Sequence, residues 1–235
     1  MRTKLFVMMA VITVLIFAAG GGLDGRLSLQ PSVPHRSVTV SERTENRGID
    51  NLVLDIRMPV VAGLADTSFE KLLNARIRAQ VSVARQDALR QSRIDPAYVF
   101  VLRVDYALTC SQDILSLRVT DDLDNGGTGK PHTVYYNADI QKSASLTLDD
   151  LFESRDYREA VDNLIRNTMQ ADEHFFLEDF TGVDNHSKFF ISNGQLHIAF
   201  SKYEIASGMA GEPVFEVPSG LLWTQIKPRY RRCLS

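Results

Sequence analysis

The sequence predicts an α+β fold with mostly antiparallel sheet and two main helices. Three observations support this class. Apolar residues alternate with polar ones along several segments, which indicates strands with one buried face. Two longer segments instead carry apolar residues every three or four positions, which indicates amphipathic helices. Several strands follow one another between the helices, and this order disfavours a strict βαβ series.

Residues 1–20 have the composition of a secretory signal. Arg2 and Lys4 precede an apolar stretch over residues 5–20 that ends in small residues, as in a signal peptide. We therefore expect an exported protein, periplasmic or extracellular, in which this segment is either cleaved or kept as an N-terminal anchor. The apolar stretch is shorter than the roughly 20 residues of a membrane span, which favours cleavage. Membrane contact is expected only through residues 5–20, if they are kept.

Residues 21–36 show no periodicity and predict a linker, whereas residues 37–95 predict the first α+β half of the folded chain. Within it, residues 37–43 predict a strand. Residues 52–60 alternate apolar with other side chains and predict a second strand, and Pro59 places the far end of that strand at a sheet edge.

A long amphipathic helix is predicted over residues 68–91. Thr67 and Glu70 have the spacing of a capping box at its start. Apolar residues then recur every three or four positions, and Pro96 blocks continuation of the helix. The basic residues on its other side are interpreted as a solvated face.

Residues 96–226 predict the second α+β half. The predicted elements are strands over 98–108, 114–120 and 133–138, a helix over 156–170, strands over 189–191, 196–200 and 214–217, and a short terminal helix over 218–226. Asn193-Gly194 is the strongest hairpin signal, because both residue types accept the left-handed backbone of a tight turn. The boundary near Pro96 separates either two sub-domains or two parts of one sheet.

The composition disfavours a broad electrostatic attraction to nucleic acid. The formal net charge is −3, and 44% hydrophobic with 23% charged residues is ordinary for a globular protein. No nucleic-acid partner is therefore expected. Residues 227–235 form a basic tail, which is interpreted as a solvated end.

Two cysteines, Cys110 and Cys233, occur in a chain that we expect to be exported. Disulfides persist outside the cytosol, so the two residues are candidates for one bridge that would tie the C-terminal tail to the middle of the fold. The alternative is a pair of buried or unpaired thiols. The sequence contains no C-x-x-C, so a thioredoxin-like redox role is not predicted.

Motifs for metal, cofactor or catalytic sites were not found. The 5 histidines are scattered without metal-ligand spacing, and G-x-S-x-G, Walker A and G-x-G-x-x-G are absent. Residues 121–126 look like a calcium loop, but Thr133 stands where the bidentate Glu is required. We predict no metal, no cofactor and no catalytic residue. His132, beside the turn glycines Gly126 and Gly127, is kept as a candidate binding residue.

Residues 201–213 form a long segment without periodicity between two predicted strands. Long irregular segments are uncommon in compact domains and often functional. Tyr203 and Glu204 place an amphipathic ring beside a carboxylate, which suits a recognition surface. The structural alternative is that the tyrosine fills the edge of the core and the glutamate satisfies amides of the loop.

Several segments resemble a known family of exported bacterial domains over roughly residues 38 to 226. The residues that carry the likeness are Gly126-Gly127, Pro131-His132, 136–139, 146–152, 200–206, Gly211, Val217-Pro218 and Leu221-Leu222, with 54–63 and Asn74 in the first half. The family includes the extracytoplasmic domain of the lysozyme-sensing anti-sigma factor RsiV and the non-catalytic domain of the peptidoglycan deacetylase PdaC. Residues 37–95 look PdaC-like, and residues 96–226 look RsiV-like.

The resemblance implies a cell-envelope binding domain whose partner is a lysozyme-like protein or peptidoglycan. An anti-sigma factor of this kind would need a cytoplasmic segment to hold its sigma factor, and only Met1 to Lys4 precede the apolar stretch, so we do not expect that role. A deacetylase would need a separate catalytic domain, so we favour a non-enzymatic protein. Two alternatives stay open: an accessory subunit of a peptidoglycan-modifying enzyme or a deacetylase-like protein, and a structural envelope protein.

Overall fold

The computed structural model describes residues 37–127 and 131–235. The predicted signal or anchor at 1–20 and the predicted linker at 21–36 lie outside these residues. All described residues belong to one unit, Arg36–Ser235. Two sheets and two long helices make up this part of the chain, so the predicted α+β class with mostly antiparallel sheet is confirmed.

The first sheet has six strands in sequence order. They are β1 (Thr39–Ile49), β2 (Leu52–Ala62), β3 (Phe100–Ser111), β4 (Ile114–Asp124), β5 (His132–Asp139) and β6 (Ala144–Ser145). All neighbours are antiparallel except β2 and β3, which pair in parallel over Leu52–Ile56. The connection between these two strands contains α1 (Thr67–Ile94), as a parallel crossover requires. Strands from both sides of the boundary predicted near Pro96 therefore pair in this sheet.

Helix α1 covers one face of the first sheet. Its N-cap is Asp66, whose side chain accepts hydrogen bonds from Ser68 N at 2.7 Å and Phe69 N at 3.4 Å. The capping box predicted at Thr67 is therefore wrong, since the N-cap lies one residue earlier. The Glu70 carboxylate instead accepts from Leu64 N at 3.1 Å. The buried stripe of the helix is Leu73, Ile77, Val81, Ala84 and Ala88, which pack into the first core.

The edge predicted at Pro59 is confirmed. Strand β3 pairs with β2 only as far as Ile56, so the far end of β2 has β1 alone as a strand partner. Asn74 of α1 is buried and takes the place of a strand there. Its side chain accepts from Val61 N at 2.9 Å and donates to Val61 O at 2.7 Å.

The second sheet has three antiparallel strands, β7 (Lys188–Ser192), β8 (Gln195–Ala199) and β9 (Val214–Val217). The β7–β8 hairpin turns at Asn193 and Gly194 with φ of 51° and 74°, so the predicted hairpin is confirmed. Helix α2 (Tyr157–Gln170) buries Tyr157 and Ile165, among others, in the second core. The predicted terminal helix shortens to α3 (Ser219–Leu222).

Residues 227–235 pack against the fold, contrary to the expectation of a solvated end. A 3₁₀ helix over Pro228–Cys233 buries Tyr230, and Leu234 is fully buried in the second core. Arg229 pairs at 2.5 Å with Asp139, whose carboxylate is wholly buried and also accepts from the Tyr230 hydroxyl at 2.8 Å. Apolar residues between the cations cover the core, so the basic side chains are held against it and the segment does not extend into solvent.

In residues 37–127 and 131–235, no helix combines the length and the hydropathy of a membrane span.

Candidate functional site

The 201–213 loop, which connects β8 to β9, is closed at its base by hydrogen bonds within the loop and to neighbouring residues. The Glu204 carboxylate accepts from Ser201 N at 2.7 Å, and Glu204 N donates to Ser201 O at 3.0 Å. Lys188 Nζ lies 3.3 Å from the same carboxylate and also contacts the Ser201 hydroxyl. Phe200 N donates to Pro213 O at 2.9 Å. Glu204 is exposed, yet its carboxylate already satisfies a loop amide.

Tyr203 stands out from this loop. Its side chain is 58% exposed, and its backbone has a φ of 70°, the left-handed region that bulky residues rarely adopt. The ring lies so close to Gly208 that a Cβ added there would be 2.7 Å from Cζ of the ring. Lys202 Nζ lies 5.3 Å from the ring centroid. Met209, which follows Gly208, is 87% exposed, so the loop presents the large side chains of Tyr203 and Met209 to solvent.

The turn predicted over 125–132 is described at both ends, whereas residues 128–130 lie outside the described residues. Gly126 has a φ of 87°, and its amide donates to Asp124 at 2.8 Å, which lowers the pKa of that carboxyl. Gly127 is exposed. His132 is also exposed, and its Nδ1 lies 3.1 Å from Asp121 Oδ2.

Glu212 joins the loop to the strand that follows this turn. Thr133, the neighbour of His132, donates to Glu212 from its backbone N at 3.3 Å and from its hydroxyl at 2.6 Å. Burial raises the pKa of the nearby Tyr135 to about 12, and the Glu212 charge adds to the shift. Sequence reasoning missed Glu212 because an isolated glutamate in a loop has no signature of its own.

Two shallow cavities lie between the predicted site residues. One, of about 330 Å³, has His132 and Tyr135 in its wall, and the other, of about 280 Å³, has Glu204 and Phe200. Residues 186–188 line both cavities. The structure therefore places His132 and Glu204 on either side of one shared segment. Sequence reasoning had set His186 of that segment aside along with the other scattered histidines.

This surface offers contacts and hydrogen bonds but no assembled reactive groups. Among the described residues, no three His, Cys, Asp or Glu side chains come together as a potential metal site. Asp150, outside this surface, accepts from Thr147 N at 2.8 Å and from its hydroxyl at 2.6 Å, which is a local cap. Tyr203 and Met209 present exposed apolar area on this surface.

The fold and this surface define an α+β domain with two sheets, one irregular exposed loop and a polar tether at its base. Residues 149–220, which include the whole loop, match DUF3298, a family described as protein of unknown function. The chain is 22% identical over 200 residues to the anti-sigma-V factor RsiV of Bacillus subtilis (strain 168), covering 80% of this chain and 69% of that protein. The resemblance to RsiV predicted from the sequence is thereby confirmed.

Two solved structures match this chain. A member of the DUF3298 family from Bacteroides fragilis NCTC 9343 superposes with a TM-score of 0.61 at 15% identity, covering 83% of this chain and 96% of that chain. A DUF3298 family protein from Pseudomonas aeruginosa PAO1 gives a TM-score of 0.49 at 15% identity, covering 83% and 94%. The first of these supports the fold.

Proposed function

We propose that this protein is an exported, non-enzymatic binding domain of the bacterial cell envelope, and that it recognises a lysozyme-like protein. The 201–213 loop carries the contact, and the described ends of the 125–132 turn border it. The observation that supports the proposal most directly is the tether from Glu212 to Thr133, because it fixes an otherwise irregular loop to the first sheet. The likeness to RsiV supports an extracytoplasmic location and makes a lysozyme the first partner to test.

A protein partner fits the loop better than a charged polymer does. Tyr203 and Met209 are exposed together, and tyrosine and methionine are enriched at protein interfaces. The tyrosine ring also contacts Gly208 and has few side-chain torsions to order, so little conformational entropy is lost on binding. Tyrosine is also one of the residue types most enriched at binding hot spots.

The decisive experiment measures binding of the full chain to a panel of lysozymes and to purified peptidoglycan. We expect saturable binding to a lysozyme, weakened at least tenfold by Tyr203→Ala, as for a hot-spot residue. Tyr98→Ala is the matched control, because Tyr98 is 54% exposed between α1 and β3 and lies outside the proposed surface. Circular dichroism and thermal melting establish that both variants fold.

Three outcomes would contradict the proposal. Failure to bind any lysozyme would remove the protein partner, and binding to peptidoglycan alone would assign the surface to a glycan. Equal losses of affinity from Tyr203→Ala and Tyr98→Ala would show that the loop is not part of the interface.

The rival hypothesis, an enzyme or its accessory subunit, predicts that the protein releases acetate or new muropeptides. That activity would be lost in Glu204→Gln or Asp150→Asn. A purely structural envelope protein would show neither binding nor turnover.

A further inference from the structure

Both cysteines line one cavity at the far end of the first sheet. The cavity has a volume of about 370 Å³, and its wall includes Cys110, Cys233, Asn193 and Ser235. Cys110 lies in β3 beside an irregularity in the β3–β4 register, and it is partly buried. Cys233 ends the C-terminal 3₁₀ helix and is 5% exposed. The two residues are far apart in sequence and both carry free thiols here.

The two thiols also share a hydrogen bond, which has opposite effects on their two pKa values. The Cys110 thiol donates towards the Cys233 sulfur, and Asp113 N donates to that sulfur at 3.4 Å. These bonds, with another from the Ile114 amide, outweigh burial and lower the pKa of Cys233 to about 7. The donated bond and burial raise the pKa of Cys110. At neutral pH, Cys233 is therefore the thiol with the larger thiolate fraction, and the thiolate is the nucleophile in disulfide exchange.

The surrounding contacts hold the pair in place before any bond forms. Arg232, next to Cys233, makes two hydrogen bonds to the Asp113 carboxylate, at 3.0 and 2.8 Å. Arg229 and Tyr230 anchor the same helix on the buried Asp139. The reduced chain therefore already has the C-terminal segment docked, with both cysteines in the wall of one cavity.

We propose that Cys110 and Cys233 form a redox pair that closes to an intramolecular disulfide and locks the C-terminal segment to β3. The Cys233 thiolate attacks one sulfur of an external disulfide, such as oxidised glutathione, and one thiolate leaves. Cys110 then loses its proton and attacks the Cys233 sulfur of the mixed disulfide, releasing the second thiolate. Two cysteine thiols are oxidised by two electrons in total, and the external disulfide is reduced to two thiols. This pair is independent of the lysozyme-binding proposal.

The test uses the full chain, reduced and then equilibrated with oxidised glutathione, with the remaining thiols alkylated and counted by intact mass. We expect that neither cysteine is alkylated in the oxidised monomer. Its melting temperature should rise by an amount on the order of 10 °C over the reduced protein, because the closed loop is long. A double variant, Cys110→Ser with Cys233→Ser, should melt like the reduced protein in either buffer.

Single variants test the order of attack. Cys110→Ser should accumulate a Cys233–glutathione adduct at pH 7. Cys233→Ser should form the corresponding Cys110–glutathione adduct about threefold more slowly, and this difference in rate should shrink at pH 9. Two alkylatable thiols after oxidation, or a disulfide-linked dimer in place of the internal bond, would overturn the pair. Equal adduct rates at pH 7 would overturn the role of Cys233 as the attacking thiol. Lysozyme binding by the double variant separates this result from the fate of the proposed function.

Discussion

Ser116 and Asn137 share a buried hydrogen bond of 2.8 Å at the junction of the two sheets. The Asn137 amide also donates to Phe189 O at 2.7 Å, and Ile191 N donates to the Ser116 hydroxyl at 3.0 Å. Two side chains of the first sheet thus satisfy backbone groups of β7 in the second sheet. The network fixes the position of one sheet on the other, since apolar packing alone is tolerant of small shifts.

Asn137→Ala should lower the free energy of unfolding by about 1–3 kcal/mol, because the Phe189 carbonyl loses a buried donor and the Ser116 hydroxyl proton loses its acceptor. Asn46→Ala, an exposed asparagine on β1, is the control and should change stability by less than about 0.5 kcal/mol. Urea denaturation of both variants measures the difference. Equal midpoints would show that the network contributes nothing to stability.

Thr133→Val and Glu212→Gln should behave as a coupled pair. Each change weakens the tether of the 201–213 loop, so amide hydrogen exchange in the loop should accelerate in either variant. The double variant should be less destabilised than the sum of the singles, with a coupling energy of about 0.5–3 kcal/mol. Thr44→Val on the exposed face of β1 is the control. Strict additivity would contradict a direct interaction.

Gly208→Ala should displace the Tyr203 ring with little loss of stability. An added Cβ meets the far end of that side chain, which can swing towards solvent. If the loop binds a lysozyme as proposed, affinity should fall several-fold while the melting temperature stays nearly constant. Gly220→Ala is the matched control, because nothing lies within 4 Å of a Cβ at that position. Unchanged affinity in Gly208→Ala would separate the ring position from binding.

Asp149 should contribute stability that depends on pH. Burial opposes its ionisation, but hydrogen bonds from Tyr157 and Arg158 outweigh burial and lower the pKa of the carboxyl below its ordinary value of 3.8. The stabilisation is therefore present above the unfolded pKa and is lost as the pH falls through the folded pKa. The difference in unfolding free energy between the wild type and Asp149→Asn should be constant from pH 5 to 7 and shrink below about pH 4. A difference that does not change with pH would contradict this assignment.

Alkylation kinetics should report the thiolate of Cys233. In the reduced protein, its rate of reaction with iodoacetamide should rise with a midpoint near pH 7, since its pKa is lowered from 9.0 to about 7. Cys110→Ala removes the largest cause of that shift and should move the midpoint upward. Peptide mapping by mass spectrometry measures the rate at Cys233 alone. An unchanged midpoint in the variant would show that the two thiols do not interact.

Local patterns in the sequence located most of the elements. Alternation found β2 and β3, and Asn193-Gly194 found the β7–β8 turn, because side-chain period and turn chemistry depend on near neighbours. The parallel pairing of β2 with β3 was not predicted, since it joins residues separated by the whole of α1. The buried C-terminal segment was also missed. Its cations suggested solvent, but Asp139, the partner of Arg229, and Asp113, the partner of Arg232, lie far away in the chain.

The candidate site was predicted only in part. Irregularity marked the 201–213 loop and drew attention to Tyr203 and Glu204, and those residues still await a binding test. Glu212 and His186 were not singled out, because what makes each notable is a neighbour from another element. Such neighbours depend on how the second sheet sits on β5, which a single sequence does not encode in any local pattern.

The docking of Tyr230 and Leu234 has a consequence for how the chain acquires its structure during synthesis. Strands β1 to β5 are complete once residue 139 has been made, so the first core can assemble early. The second core stays incomplete until the segment that includes Leu234 has been synthesised, long after α2. A chain that stops short of this segment would leave apolar side chains of the second core uncovered, and such exposed apolar surface promotes aggregation.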